Sequence, residues 1–312
     1  MNTKLDPTLE RLIRKAYASG FGNIHEYSAS QMRQYLSHPK LTVEAVSFKD
    51  FKTDEGINLR CYTPSNSANL LYPAVIYLSA NAFVLDRIDA SNDYCSLLAT
   101  TLNMKVINIA HRLAPEHKFP QFLYDCVNSI EWIYQHAITM NIDCEKIALW
   151  GESSGGSIAA SATHILRDQN KPIIKHQILF YPMVSLVTPF PSKETYGYGY
   201  MLDKAFIAWL DSRGFTPEQD RSHPLASPLL SPNFSNLPSA TVITAGFDPL
   251  RDEGEAYGQK LFNANVPVIS KRFDDMIHGF MRFYNKVEAA NAALRFAAAA
   301  LGSSFCWGHL RG

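Results

Sequence analysis

Six short apolar runs punctuate the chain, at residues 74–78, 106–110, 147–150, 178–181, 240–245 and 266–269. They lack the alternation of half-buried strands, and such runs mark strands covered on both faces in a parallel sheet. Amphipathic stretches of helix length lie among them, at 122–137, 154–167 and 251–263, with another at 280–301 after the last run. This order predicts an open α/β sheet flanked by helices. Ahead of the first run, residues 43–62 interleave apolar and polar positions around Asp54-Glu55-Gly56, the signature of a hairpin at a sheet edge. A loop rich in Pro, Ser and Asn follows at 64–68.

Two segments break the rhythm. Residues 1–38 carry helical spacing, first through Leu9, Leu12, Ile13 and Tyr17, then through Tyr27, Met32 and Tyr35, on either side of Gly20-Phe21-Gly22. Residues 184–237 separate two predicted strands by over fifty positions and hold a helix of their own near 203–213. An insertion at the carboxyl end of a parallel sheet sits where ligands bind, so arm and insertion are predicted to form a helical cap. The expected division is an N-terminal cap segment at 1–40, a core at 41–183 and 238–302, a cap insertion at 184–237 and a tail at 303–312. Phe21, Tyr27, Tyr35, Tyr196 and Tyr198 either line a pocket there or pack cap against core.

Charge narrows the function classes. Among 312 residues, 29 Lys+Arg balance 29 Asp+Glu, a balance that argues against a nucleic-acid partner. Five cysteines, an odd number without Cys-x-x-Cys spacing, argue against a disulfide framework and a zinc module. No apolar run approaches the ~20 residues of a membrane helix. The first 17 residues mix charges among apolar positions and contain no leader-like apolar stretch, so the expectation is a cytoplasmic protein. A homo-oligomer is left open.

The chemistry concentrates at Gly151-Glu152-Ser153-Ser154-Gly155-Gly156, directly after one apolar run and before an Ala-rich helical stretch. A strand, a sharp turn with small residues and a helix form a nucleophile elbow, which makes Ser153 the candidate nucleophile. The next amide, of Ser154, heads the helix and is a candidate oxyanion donor. No Lys follows the glycines, which disfavours a phosphate loop. A serine nucleophile needs a base and an orienting carboxylate, in this fold in the order Ser, Asp or Glu, His. His278 and Asp248 both follow predicted strands; Asp252, Asp274 and Asp275 are rival carboxylates, and Glu152 reads as support for the elbow.

With Arg112-Leu113-Ala114-Pro115-Glu116-His117-Lys118-Phe119-Pro120, the elbow, Tyr181-Pro182, Ser227-Pro228-Leu229, the 248–253 segment and Ile277-His278-Gly279-Phe280, the chain resembles the hormone-sensitive lipase-like α/β-hydrolases. The resemblance spans roughly residues 40–302. It implies an α/β-hydrolase fold, small acyl esters of short or medium chain as substrates, no cofactor or metal, and a triad on Ser153, Asp248 and His278. One segment departs from the pattern: Ser79-Ala80-Asn81-Ala82 stands where the family carries His-Gly-Gly-Gly. By position, the Asn81 and Ala82 amides are the remaining oxyanion donors, in a loop without glycine to adopt positive φ. The leading expectation is therefore an active but atypical serine carboxylesterase that works through an acyl-enzyme, with the altered loop as the one feature that could lower its activity. A weak or non-catalytic small-ligand-binding protein is the alternative, and acyl transfer to another acceptor or amide cleavage is a third reading.

Overall fold

Eight strands form one sheet in the order β1-β2-β4-β3-β5-β6-β7-β8. They are β1 (Ser47–Lys52), β2 (Asn58–Thr63), β3 (Tyr72–Leu78), β4 (Lys105–Ala110), β5 (Ile142–Glu152), β6 (His176–Phe180), β7 (Ser239–Phe247) and β8 (Val268–Ile277). The computed structural model describes residues 4–35, 46–65, 71–85 and 88–307. Residues 43–45 of the predicted hairpin, 66–68 of the predicted loop, the end of the arm at 36–38 and the tail beyond 307 lie outside them, as does the side chain of Tyr35. β1 and β2 pair antiparallel, β2 joins β4 antiparallel, and every pairing from β4 to β8 is parallel.

The central strands are buried along their length, as continuous apolar runs require. β8 differs from expectation. Its predicted run ends at 269, yet the strand continues through Ser270, Lys271, Arg272, Asp274 and Asp275 to Ile277. As an edge strand it exposes most of its first half, so polar residues are tolerated there and hide its length.

Helices α1 (Pro7–Ala18), α2 (Ala29–Tyr35), α3 (Asn92–Leu102), α4 (Gln121–Gln135), α5 (Ser154–Asp168), α6 (Pro191–Thr195), α7 (Lys204–Gly214), α8 (Arg251–Asn263) and α9 (Glu288–Trp307) complete the chain. The segment predicted as one helix at 280–301 is a 3-10 turn, Phe280–Phe283, followed by α9. α9 runs past the expected start of the tail at 303, because Phe305 still buries its ring in the core on that face of the sheet. Asp6 caps α1 through the amides of Thr8 and Leu9, and its own amide donates to Asp275 O on β8 at 3.0 Å. The arm meets the insertion where Trp209 Nε1 on α7 donates to Tyr27 O at 2.7 Å.

Candidate active site

β5 delivers the chain to Glu152, and Ser153 turns it into α5 at φ 55°, ψ −117°, a strained conformation for any residue but glycine. The turn is over-determined: the Ser153 amide donates to Phe180 O at 3.0 Å, and its carbonyl accepts from Met183 at 3.2 Å and Ser157 at 3.1 Å. Two glycines make room. A Cβ at Gly151 would lie 2.5 Å from Gly155 O, and one at Gly155 would collide with the Leu78 carbonyl.

The Ser153 hydroxyl lies 2.9 Å from His278 Nε2, and His278 Nδ1 lies 2.9 Å from Asp248 Oδ2. A carboxylate only accepts, so the proton sits on Nδ1 and Nε2 is left to accept from serine. Asp248 is fully buried, and its second oxygen accepts from Leu250 N at 2.8 Å, which fixes the carboxylate plane. Two of the three rival carboxylates, Asp252 and Asp274, face other partners. Asp252 accepts from Ser192 N at 2.8 Å and Arg251 Nε at 2.8 Å, while Asp274 lies 3.7 Å from Arg272.

Glu152 is buried beneath the elbow, its oxygens 2.9 Å from the Tyr181 hydroxyl and 3.4 Å from Trp150 Nε1. Burial pushes its carboxyl above the ordinary range, and the hydrogen bonds from Tyr94, Tyr181 and Trp150 oppose that rise. It does not reach the Ser153 hydroxyl through any of these contacts. The Tyr181-Pro182 pair carries no role that the sequence alone reveals. Its ring lies 4.9 Å from the His278 ring.

By position, Asn81 and Ala82 are the residues expected to present the oxyanion amides. In the structure Asn81 N donates to Ser79 O at 2.9 Å and Ala82 N donates to Ser154 Oγ at 2.9 Å. Without glycine, Ala82 and Phe83 still sit at φ 53° and 61°. Side chains hold them there. Asn81 Oδ1 accepts from Phe83 N at 3.0 Å, and Asn81 Nδ2 donates to His111 Nε2 at 2.8 Å, whose Nδ1 faces Arg112 O at 2.8 Å. The Phe83 ring stacks on Phe122 at 4.4 Å and meets Phe215 edge-on at 6.3 Å. The Ser154 amide, the remaining expected donor, opens α5. None of the pairings made by His111 or by the Ser154 hydroxyl carried a spacing signal in the sequence.

A cavity of about 140 Å³ reaches Ser153 and His278, walled by Leu85, Met183, Leu202 and Leu210 among others. Of the five aromatics singled out from the sequence, Phe21 lines it. Tyr196 instead packs on Tyr200 and Phe247, and Tyr198 is exposed. A second cavity of about 480 Å³ shares Ala80, Met201 and Arg282 with the first and adds Asp89, Asp93 and Lys286. Among the described residues, no group of three His, Cys, Asp or Glu side chains is placed to hold a metal, and no helix is long and apolar enough to cross a membrane.

A family model described as alpha/beta hydrolase fold matches residues 75–282. The chain is 33% identical over 285 residues to the arylesterase of Saccharolobus solfataricus, covering 89% of this chain and 92% of the relative. It is 31% identical over 262 residues to the ethyl acetate hydrolase of Pseudomonas putida, covering 83% and 82%. Among solved structures, a hyperthermophilic esterase from the archaeon Pyrobaculum calidifontis matches with a TM-score of 0.87 and 31% identity, covering 96% of this chain and 98% of that one.

Proposed function

Because the chain belongs to the α/β-hydrolase family, in its hormone-sensitive lipase-like carboxylesterase branch, and is a carboxylic ester hydrolase, we propose that it works through Ser153, His278 and Asp248. The observation that carries this reading is the unbroken line from Asp248 through His278 to Ser153, with both links at 2.9 Å. His278 Nε2 takes the Ser153 proton as Oγ attacks the acyl carbon, and Asp248 stabilises the imidazolium that forms. The tetrahedral oxyanion collapses, the C–O bond to the alcohol breaks, and His278 returns the proton to the leaving oxygen. Water then gives a proton to His278 and adds its hydroxyl to the acyl carbon, the bond from that carbon to Ser153 Oγ breaks, and His278 returns the proton to Oγ as the acid leaves.

The apolar 140 Å³ cavity suits a short or medium acyl group, and the arm and the 184–237 insertion act as the cap that closes it. The occupied Asn81 and Ala82 amides favour slow turnover, since one lost oxyanion donor costs about 2.7–4 kcal/mol of transition-state stabilisation. A fluorophosphonate that labels Ser153, together with hydrolysis of a p-nitrophenyl butyrate that Ser153→Ala abolishes, supports this assignment. Unimpaired hydrolysis by Ser153→Ala refutes it.

A further inference from the structure

We propose that the Ser154 hydroxyl is a positioning group that withholds the Ala82 amide from the oxyanion site and thereby limits turnover. The inference rests on the esterase reading above. Ser154 is fully buried, and its Oγ accepts from Ala82 N at 2.9 Å. Its own hydrogen faces Asn81 Oδ1 at 3.5 Å. Ser153 and Ala82 line the catalytic cavity, whereas Ser154 does not, so the hydroxyl draws the amide toward the protein and offers no donor of its own to the cavity.

The loop cannot easily resolve the conflict by moving. Ala82 is locked between the Asn81 side chain, anchored on His111, and the Phe83 ring, anchored on Phe122 and Phe215. The Ser154 backbone is equally fixed, as the first turn of α5 behind the elbow. What remains free is rotation about the Ser154 side-chain bond, between staggered positions. When charge develops on the substrate oxygen, that oxygen competes with Oγ for the same N–H. A bond present in the ground state and surrendered in the transition state raises the barrier without tightening substrate binding. Its signature is therefore a limit on kcat, not on KM.

Ser154→Ala removes the acceptor and keeps the backbone amide that opens α5. The expected result is a rise in kcat on p-nitrophenyl butyrate of about tenfold, equivalent to ~1.4 kcal/mol, at nearly constant KM. A trifluoromethyl ketone gives an independent readout. Ser153 Oγ adds to its carbonyl carbon, the serine proton passes to His278, and the ketone oxygen becomes an oxyanion. Its affinity should rise by a similar factor in Ser154→Ala, a change that altered packing alone would not produce. A folded Ser154→Ala protein with unchanged or lower kcat and unchanged ketone affinity overturns the proposal. Should that variant lose its cooperative melting transition, Ser154→Gly is measured against the same two readouts and decides in its place. Fluorophosphonate labelling of the parent separates the two levels of failure. A parent that labels and hydrolyses while the variants gain nothing refutes the Ser154 assignment alone, whereas a parent that does neither refutes the esterase reading and this inference with it.

Discussion

Tyr181 donates its phenolic hydrogen to Glu152 Oε2 at 2.9 Å. The same ring lies 4.9 Å from the His278 imidazole, so one side chain joins the buried floor of the elbow to the histidine above it. Tyr181→Phe keeps the ring and leaves a buried carboxyl short of one donor. It should destabilise the protein by about 1–3 kcal/mol while lowering kcat far less than loss of His278 does. Urea unfolding and steady-state kinetics on the same preparations test this, and an unchanged urea midpoint would mean that the bond does not support the elbow.

Removing a triad member should be far more severe. Ser153→Ala and His278→Ala are each expected to lower kcat by roughly 10⁴–10⁶, and Asp248→Asn by about 10⁴, with little change in thermal midpoint. Near-equal losses in the two single variants and in their double variant would show that they act as a unit. Additive losses would count against the assignment.

Strain in the oxyanion loop is separable from its hydrogen bonds. Ala82 lies at φ 53°, so Ala82→Gly should stabilise the fold by up to about 1 kcal/mol. Asn81→Ala removes the donor to His111 and the acceptor for Phe83 N, and should cost about 1–3 kcal/mol. Chemical denaturation distinguishes them by sign. An Asn81→Ala midpoint equal to or above the parent's would mean that the Asn81 side chain is not what holds the loop, and a lowered midpoint in Ala82→Gly would mean that positive φ at residue 82 is not a source of strain.

Acid should destabilise the protein through two histidines remote from Ser153. His164 and His176 are buried, and desolvation pulls each from 6.5 to about 4. As pH falls below 6.5, the unfolded chain takes up these protons first, so stability is full above that value and is lost progressively toward pH 4. His176, bonded at 2.7 Å to Ser239 Oγ and 2.8 Å to Thr241 Oγ1, provides the test. In His176→Gln the fall in thermal midpoint between pH 7 and pH 4.5 should be smaller than in the parent. An identical fall would remove His176 from the explanation.

Arg33 fastens the arm to the core. Its guanidinium donates to Val84 O and Ala114 O, each at 2.8 Å, and pairs with Glu116 at 2.7 Å, holding that carboxyl down at about 2. Arg33→Ala should loosen the wall that Phe21 contributes to the cavity and raise KM more than it lowers kcat. A fall in kcat at constant KM would argue that the arm shapes the catalytic groups and not the cavity.

The sheet was legible because parallel strands buried on both faces leave apolar runs, as in 74–78 and 178–181, whereas β8 outran its signal through the exposed Lys271 and Arg272 of an edge. Ser153, Asp248 and His278 stood out because each follows a strand in a fixed chain order. Asn81 with His111, and Ala82 with the Ser154 hydroxyl, had no such mark. Those pairs are 30 and 72 positions apart, brought together by strand packing, and no local period encodes a contact of that kind. The missing glycines of the loop were visible, but Asn81 and the Phe83 ring, which stabilise positive φ in their place, emerge only from the packed structure.

Gly155 gives the site a mechanical stop. With no side chain, it lets α5 rest directly against the end of β3, where any Cβ would strike the Leu78 carbonyl one residue before the loop that carries Asn81 and Ala82. At Gly155 the spacing between the Ser153 elbow and the 79–82 loop is thus set by backbone touching backbone, while the neighbouring Ser154 hydroxyl bridges the two at Ala82 N. Even an added methyl group would wedge the two apart, separating Ser153 from Ala82 while leaving every reacting atom chemically intact.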